Sequence, residues 1–146
     1  MRTKVFLDTN ILVDLATDRQ GTMASQVVLS MVKRQALEAQ VTTQSIIDTV
    51  YIAHRRGAAY EKVESLINEI RQYVNIGYID SFSIKWALEH HSGDFEDAAQ
   101  YEAAYASSCD YYLTRDKGIL SRIENANVMK AITPEDFMGL MMAQEN

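Results

Sequence analysis

The stretch Val5-Phe6-Leu7-Asp8-Thr9-Asn10 constrains this chain more than any other. Three large apolar residues in a row read as a strand buried on both faces, as at the centre of a parallel sheet. The strand ends on a carboxylate. Thr9 and Asn10 favour turns and helix caps, and Ile11-Leu12-Val13-Asp14-Leu15 follows, so the chain passes from strand to helix at Asp8. In open α/β sheets that corner is where sites form. A carboxylate beside a hydrophobic sheet must be paired, hydrogen-bonded or bound to a cation. Asp8 is therefore the residue to explain.

The remainder alternates helix and strand signals. Gly21 and Thr22 precede a helix with Val27, Val28, Met31 and Val32, and Ala39 to Thr43 is a β-branched second strand. Ser45 opens a helix that carries Asp48 and ends at Arg55-Arg56-Gly57. Tyr60 to Tyr73 is a further helix, Val74 to Ile79 a weak third strand, and Ser81 caps a helix running to His90. Asp94-Phe95-Glu96-Asp97 then opens an alanine-rich helix. Asp110 to Thr114 makes a fourth strand, which again runs into an acidic turn, Arg115-Asp116-Lys117-Gly118. Val128 to Ile132 is a fifth strand, Thr133-Pro134-Glu135-Asp136 starts the last helix, and the tail from Met141 is read as frayed. The alternation predicts an α/β fold with a parallel sheet.

The 146 residues suit one domain, 1–146, with no linker and no repeat. No stretch approaches the roughly 20 apolar residues of a membrane span, and no signal-peptide pattern precedes the first strand, so a cytoplasmic location without membrane partners is expected. The single cysteine, Cys109, excludes an internal disulfide and a zinc site of several thiolates. The net charge of −6 argues against a broad basic grip on nucleic acid but not against a carboxylate site whose cations meet phosphate.

Three motifs in this order, Phe6-Leu7-Asp8-Thr9-Asn10, Asp94-Phe95-Glu96-Asp97-Ala98 and Leu113-Thr114-Arg115-Asp116-Lys117, resemble the PIN-domain family, most closely its bacterial branch related to VapC-like toxins. The resemblance spans nearly the whole chain. It implies a three-layer α/β/α sandwich around a five-stranded parallel sheet of order 3-2-1-4-5, which makes strands 1 and 4 neighbours. It also implies a Mg²⁺- or Mn²⁺-dependent ribonuclease, an antitoxin encoded elsewhere as partner, RNA as substrate and a homodimer.

Carried over by residue, the resemblance makes Asp8, Asp97 and Asp116 the catalytic and metal-holding core, with Asp94 beside it. Asp48 stands where many PIN domains have a glutamate, and Ile119 where relatives often carry another acid. The chemistry agrees, because Mg²⁺ and Mn²⁺ prefer oxygen ligands and are usually held by a few carboxylates plus substrate phosphate. Thr9 and Asn10 at a helix start, and Arg115 and Lys117 beside an acid, are candidate substrate contacts.

Simpler readings stand beside these. Asp94 is equally well placed as an N-cap, and Asp97 three residues later as its capping-box partner. Asp14, Asp18, Asp80 and Asp110 read as solvated helix ends and loops. His54, His90 and His91 lack a metal-ligand spacing, and Arg55 and Arg56 suit a helix C-terminus with or without RNA. Two other functions compete with the ribonuclease. One is a PIN fold kept as a non-catalytic interaction module. The other is a phosphatase with a strand-end aspartate, which needs a second acid where this chain has Asn10.

Overall fold

The computed structural model describes residues 2–17, 22–123 and 125–145. Its elements follow in the order β1 (Lys4–Leu7), α1 (Thr9–Thr17), α2 (Met23–Lys33), β2 (Glu38–Thr42), α3 (Thr43–Arg55), α4 (Tyr60–Tyr73), β3 (Asn75–Gly77), α5 (Ser81–His90), α6 (Phe95–Ala106), β4 (Tyr111–Leu113), α7 (Lys117–Leu120), β5 (Lys130–Ile132) and α8 (Pro134–Glu145). The five strands form one parallel sheet of order β3-β2-β1-β4-β5, as the resemblance implied.

The strands alternate faces, and each face has its own core. Val5 and Leu7 of β1 and Leu113 of β4 pack with Ile11, Leu12 and Leu15 of α1, Val28 and Val32 of α2, Val63 and Ile70 of α4 and Phe137 of α8. Phe6 and Tyr112 point the other way, onto Tyr101 and Ala104 of α6, Ile119 of α7, Cys109 and Met129. A period-two strand sandwiched between helices produces this arrangement, and the three-layer architecture follows from it. The Phe6 and Tyr112 rings stack across β1 and β4 with centroids 4.9 Å apart and planes 17° apart. Cys109 is buried in this core, which pushes its thiol up to about 12. It behaves as the small hydrophobe expected.

Several local expectations need correction. The third helix starts earlier than Ser45, because Thr42 is its N-cap and accepts the Ser45 N–H at 3.1 Å. Asp80, not Ser81, caps α5, through the Ser83 N–H at 2.9 Å. Thr22 occupies the N-cap position of α2 without a capping bond from its side chain. The turn at Asp116 continues into the short helix α7, which no apolar period announced. The tail is not frayed at Met141. Helix α8 continues to Glu145, and Met141 is only 9% exposed because it packs into the first core. Gly21 and Asp18 lie outside the described residues.

Asp14 departs furthest from its reading. It is buried, not a solvated helix residue, and its Oδ2 accepts the Arg115 Nε–H at 2.6 Å. Arg115 also makes a two-pronged pair with Glu135, at 2.8 and 2.9 Å, so it ties the end of β4 to α1 and α8.

Candidate active site

The site forms because β1 and β4 are adjacent and end together. Leu7 is in register with Leu113, and the Asp8 N–H continues the ladder to the Leu113 carbonyl at 3.1 Å. The two acidic turns foreseen in the sequence therefore stand side by side. Their joint is the Thr114 hydroxyl. It donates to Asp8 Oδ2 at 2.7 Å and accepts from the Asp116 N–H at 3.0 Å and from Asn10 Nδ2 at 3.2 Å.

Asp8 is 4% exposed. Its Oδ1 accepts the Thr9 N–H at 2.8 Å, and its Oδ2 also accepts from Asn10 Nδ2 at 3.1 Å. Burial pushes its carboxyl above the ordinary range, and the Thr114 and Thr9 bonds partly offset that. Asn10 completes the corner by accepting the Arg115 N–H at 3.1 Å on Oδ1. It therefore orients Asp8, and it offers no acid at the place a phosphatase of this type requires. The Tyr112 hydroxyl is buried against Asp8 but has no hydrogen-bond partner of good geometry.

Asp116 is half-buried at the start of α7, and its Oδ1 accepts the Ile119 N–H at 3.1 Å. Gly118 leaves it room, since a Cβ there would stand 3.0 Å from that same oxygen. Ile119 is a core residue. Across the cleft, Gly93 adopts a positive φ of 97° that lets the chain leave α5 and present Asp94 as the N-cap of α6. Asp94 Oδ1 accepts the Asp97 N–H at 3.0 Å, the capping bond anticipated. The same helix start brings oxygens of Asp94, Asp97 and Asp116 within 4.8 Å of one another.

Such crowding shows in the acidities. The Asp97 carboxyl is pushed up to about 8 by partial burial, its hydrogen bond with Asp94 and the charges of Asp8 and Asp116. Asp94 is held below the usual carboxylate range by the Asp97 N–H. Asp48 lies at the edge, where Gln44 Nε2 donates to its Oδ1 at 3.0 Å, and it faces Glu96. Glu96 is pushed up to about 7 by partial burial and by Asp48.

A cleft of about 240 Å³ opens on this edge, lined by Asp8, Thr9, Asn10, Val13, Ile52, Arg56, Glu96 and Asp97. A larger groove of about 710 Å³ between α2 and α4 receives none of these acids. Thr9 lines the cleft, but its Oγ1 donates to Ser45 Oγ at 3.1 Å and joins a buried network with Thr42 and Gln100 that fixes α1, α3 and α6 to one another. Lys117 is exposed beside Asp116, whereas the Arg115 guanidinium is engaged by Asp14 and Glu135. Of the charged lining residues, Glu96 was not among the candidates read from the sequence, and Arg56 was weighed there as an arginine suited to the helix end with or without RNA. The run Asp94-Phe95-Glu96-Asp97 held the signal for Glu96, because adjacent helical residues point about 100° apart and reach different neighbours.

An all-carboxylate donor set, with the Asp97 carboxyl pushed up to about 8 by burial and its acidic neighbours, fits a hard divalent cation. No curated protein sequence matches the chain significantly. Among solved structures it is similar to a toxin–antitoxin complex from Klebsiella pneumoniae, with TM-score 0.64, 16% identity, and 89% of this chain and 97% of that one covered. It is similar also to the sarcin-ricin-loop-cleaving VapC toxin of Mycobacterium tuberculosis, with TM-score 0.62, 14% identity and coverages of 77% and 90%. A protein of Pyrobaculum aerophilum shares the fold with TM-score 0.62, 17% identity and coverages of 98% and 99%. The sequence itself matches the PIN domain over residues 4–118, and the chain belongs to the PIN-domain family.

Proposed function

We propose that the protein is a Mg²⁺- or Mn²⁺-dependent endoribonuclease. The observation that carries this reading is the meeting of Asp94, Asp97 and Asp116 oxygens within 4.8 Å at the end of the sheet, with Asp8 behind them. Membership of the PIN-domain family supports it. Asp97 and Asp116 would hold the ion, with Asp94 and Asp8 completing its negative surroundings and Asp48 reaching it through Glu96 or water. When bound, such an ion supplies a water acidic enough to lose its proton near neutral pH and a charge that faces phosphate oxygens.

The chain's own residues prepare that site. Asn10 and Thr114 fix the Asp8 carboxylate, and the α6 N-terminus fixes Asp94. Asp97 gives up a proton when the cation arrives, because its acidity is lowered only while that charge is absent. Thr9, Asn10, Arg115 and Lys117 bound the region where RNA would lie, and of the two cations Lys117 is the more exposed.

The proposal extends to a toxin of a toxin–antitoxin pair, cytoplasmic, blocked by a small antitoxin and self-associating. Similarity to a solved toxin–antitoxin complex supports a protein partner. Exposed Ile47 and Tyr51 on α3, and Phe82 and Leu88 on α5, supply apolar surface of the kind that association buries.

The test is cleavage of labelled RNA with Mn²⁺, with chelator, and by Asp116→Asn. Asparagine keeps the capping bond to Ile119 and removes the charge. Activity should fall on the order of a hundredfold. Cleavage of the same RNA in chelator, or by folded Asp116→Asn at the parent rate, would refute the reading. Turnover of a simple phosphate ester with RNA left intact would favour the phosphatase instead.

A further inference from the structure

We propose that Arg56 seats a backbone phosphate of single-stranded RNA next to the acid cluster, through its guanidinium in the cleft between α1, α3 and α6. The inference rests on the ribonuclease reading of the same site and names how that site takes its substrate. The cleft is lined by the acids Asp8, Glu96 and Asp97, by apolar Val13 and Ile52, and by Thr9 and Asn10, whose side chains bond to Ser45 and to Asp8 and the Arg115 N–H. Arg56 is the one cation lining it among the described residues. A polyanion that enters meets repulsion from the acids, and its phosphates have one positive charge in the lining to settle on. The guanidinium fork matches two phosphate oxygens at once, as an ammonium does not.

The size of the cleft selects the strand. At about 240 Å³ it is smaller than the roughly 300–1,000 Å³ of pockets that enclose drug-sized ligands, a recess into which one phosphate of a pliable strand can be lowered. Unpaired RNA, whose nucleotides splay apart, fits that limit.

The bland alternative is that Arg56 merely complements the C-terminal end of α3. Its neighbour separates the two readings. The backbone N–H of Arg56 closes the helix on the carbonyls of Ile52 and Ala53, and Gly57, with φ of 86°, donates to that of His54 and ends it, so the cap makes no use of the Arg56 side chain. Arg55 stands at the same helix end but turns aside. Its Nη1 donates to the Tyr51 hydroxyl at 2.8 Å, and its guanidinium lies 5.6 Å from the Tyr51 ring centroid. Both arginines complement the helix end, and only one lines the cleft.

The experiment is binding of a labelled single-stranded RNA of mixed sequence, with its duplex as comparison, to the parent and to Arg56→Ala, Arg56→Lys and Arg55→Ala in Ca²⁺ across a salt series. The parent should prefer the single strand. Arg56→Ala should weaken single-strand binding by roughly fivefold and flatten the dependence of log affinity on log salt by about 0.7, one phosphate contact. Arg56→Lys should restore part of the affinity, and Arg55→Ala should stay near the parent. In Mn²⁺, Arg56→Ala should raise KM with kcat little changed. Equal affinities and slopes for Arg56→Ala and Arg55→Ala would overturn the proposal, as would tighter binding of the duplex. Those outcomes leave cleavage and its loss in Asp116→Asn intact. A parent that neither binds nor cuts RNA would overturn both readings.

Discussion

Asp94 accepts the backbone N–H of Asp97 at 3.0 Å while the two carboxylates, with Asp116, still converge within 4.8 Å. One residue is therefore both helix cap and member of the acid cluster, and its neighbour three positions on makes no reciprocal capping bond. The expected capping box is half formed. The pKa values divide accordingly, with that of Asp94 lowered by the Asp97 N–H and that of Asp97 raised to about 8.

The cap leads to the first prediction. Asp94→Ala should cost about 1 kcal/mol, a melting shift of roughly 3 °C for a chain of this size. Asp94→Asn retains the acceptor and should stay within about 0.5 kcal/mol of the parent. Thermal melts in chelator decide this, and equal losses for the two variants would mean that the bond contributes nothing.

Arg115 was a candidate substrate contact, and its ion pairs make it a clamp. Asp14 is nearly closed to solvent, so removing its partner leaves a buried charge without its strongest bond. Breaking such a pair by truncating one side costs about 3 kcal/mol at the lower end of the usual range, which applies because Arg115 is partly exposed. Arg115→Ala should melt correspondingly lower. Asp14→Leu with Arg115→Met should recover most of the loss, since an apolar pair can replace an ionic one. A double variant as unstable as the single one would mean that the geometry, not the charge, holds these helices.

The contrast between these acids explains what could be read in advance. Asp8 was legible because a strand of Val, Phe and Leu ending on a carboxylate is a local pattern with a local cost. The cap at Asp94 was legible for the same reason. Asp14 was not, because the partner that permits its burial stands 101 positions away and enters only when β4 pairs with β1. Strand order came from resemblance and not from periodicity, since a period of two says which face a residue takes and nothing about which strand lies beside it. Glu96 and Arg56 were obscured by the opposite problem. Their neighbours, Asp97 and Arg55, carry the same charge, and only helix rotation decides that Glu96 joins Asp97 on the cleft while Arg56 lines it without Arg55.

Tyr112 carries the third prediction. Its hydroxyl is buried beside Asp8 without a hydrogen bond of good geometry, a state that costs on the order of 1 kcal/mol. Tyr112→Phe keeps the stack on Phe6 and removes the orphan. The metal-free variant should melt about 3 °C higher. A drop of the same size would mean that the hydroxyl donates to Asp8 in solution, and that Asp8 needs a third anchor besides Thr114 and Asn10.

The last prediction joins acidity to metal. Asp97 and Glu96 titrate at about 8 and about 7 in the folded chain, above their ordinary 3.8 and 4.5. The folded state therefore binds more protons than the unfolded one between about pH 4 and about pH 8. Stability from these two groups is fully present below that window and lost as pH rises through it. Asp94 and Glu135 are shifted downward, so their contribution fails only at the acid end and does not oppose the loss above neutrality. In chelator the parent should melt lower at about pH 9 than at about pH 5, and Asp97→Asn should show a shallower fall, because it has no carboxyl there to ionise. Metal should reverse the ranking. At a hundred times its dissociation constant Mn²⁺ adds about 2.7 kcal/mol, which is roughly 5 to 11 °C for this size, and Asp97→Asn should gain much less. Binding near pH 7 should also release protons into a weakly buffered solution, less so from the variant. Parallel pH profiles for parent and Asp97→Asn, with equal gains in Mn²⁺, would remove Asp97 from the site.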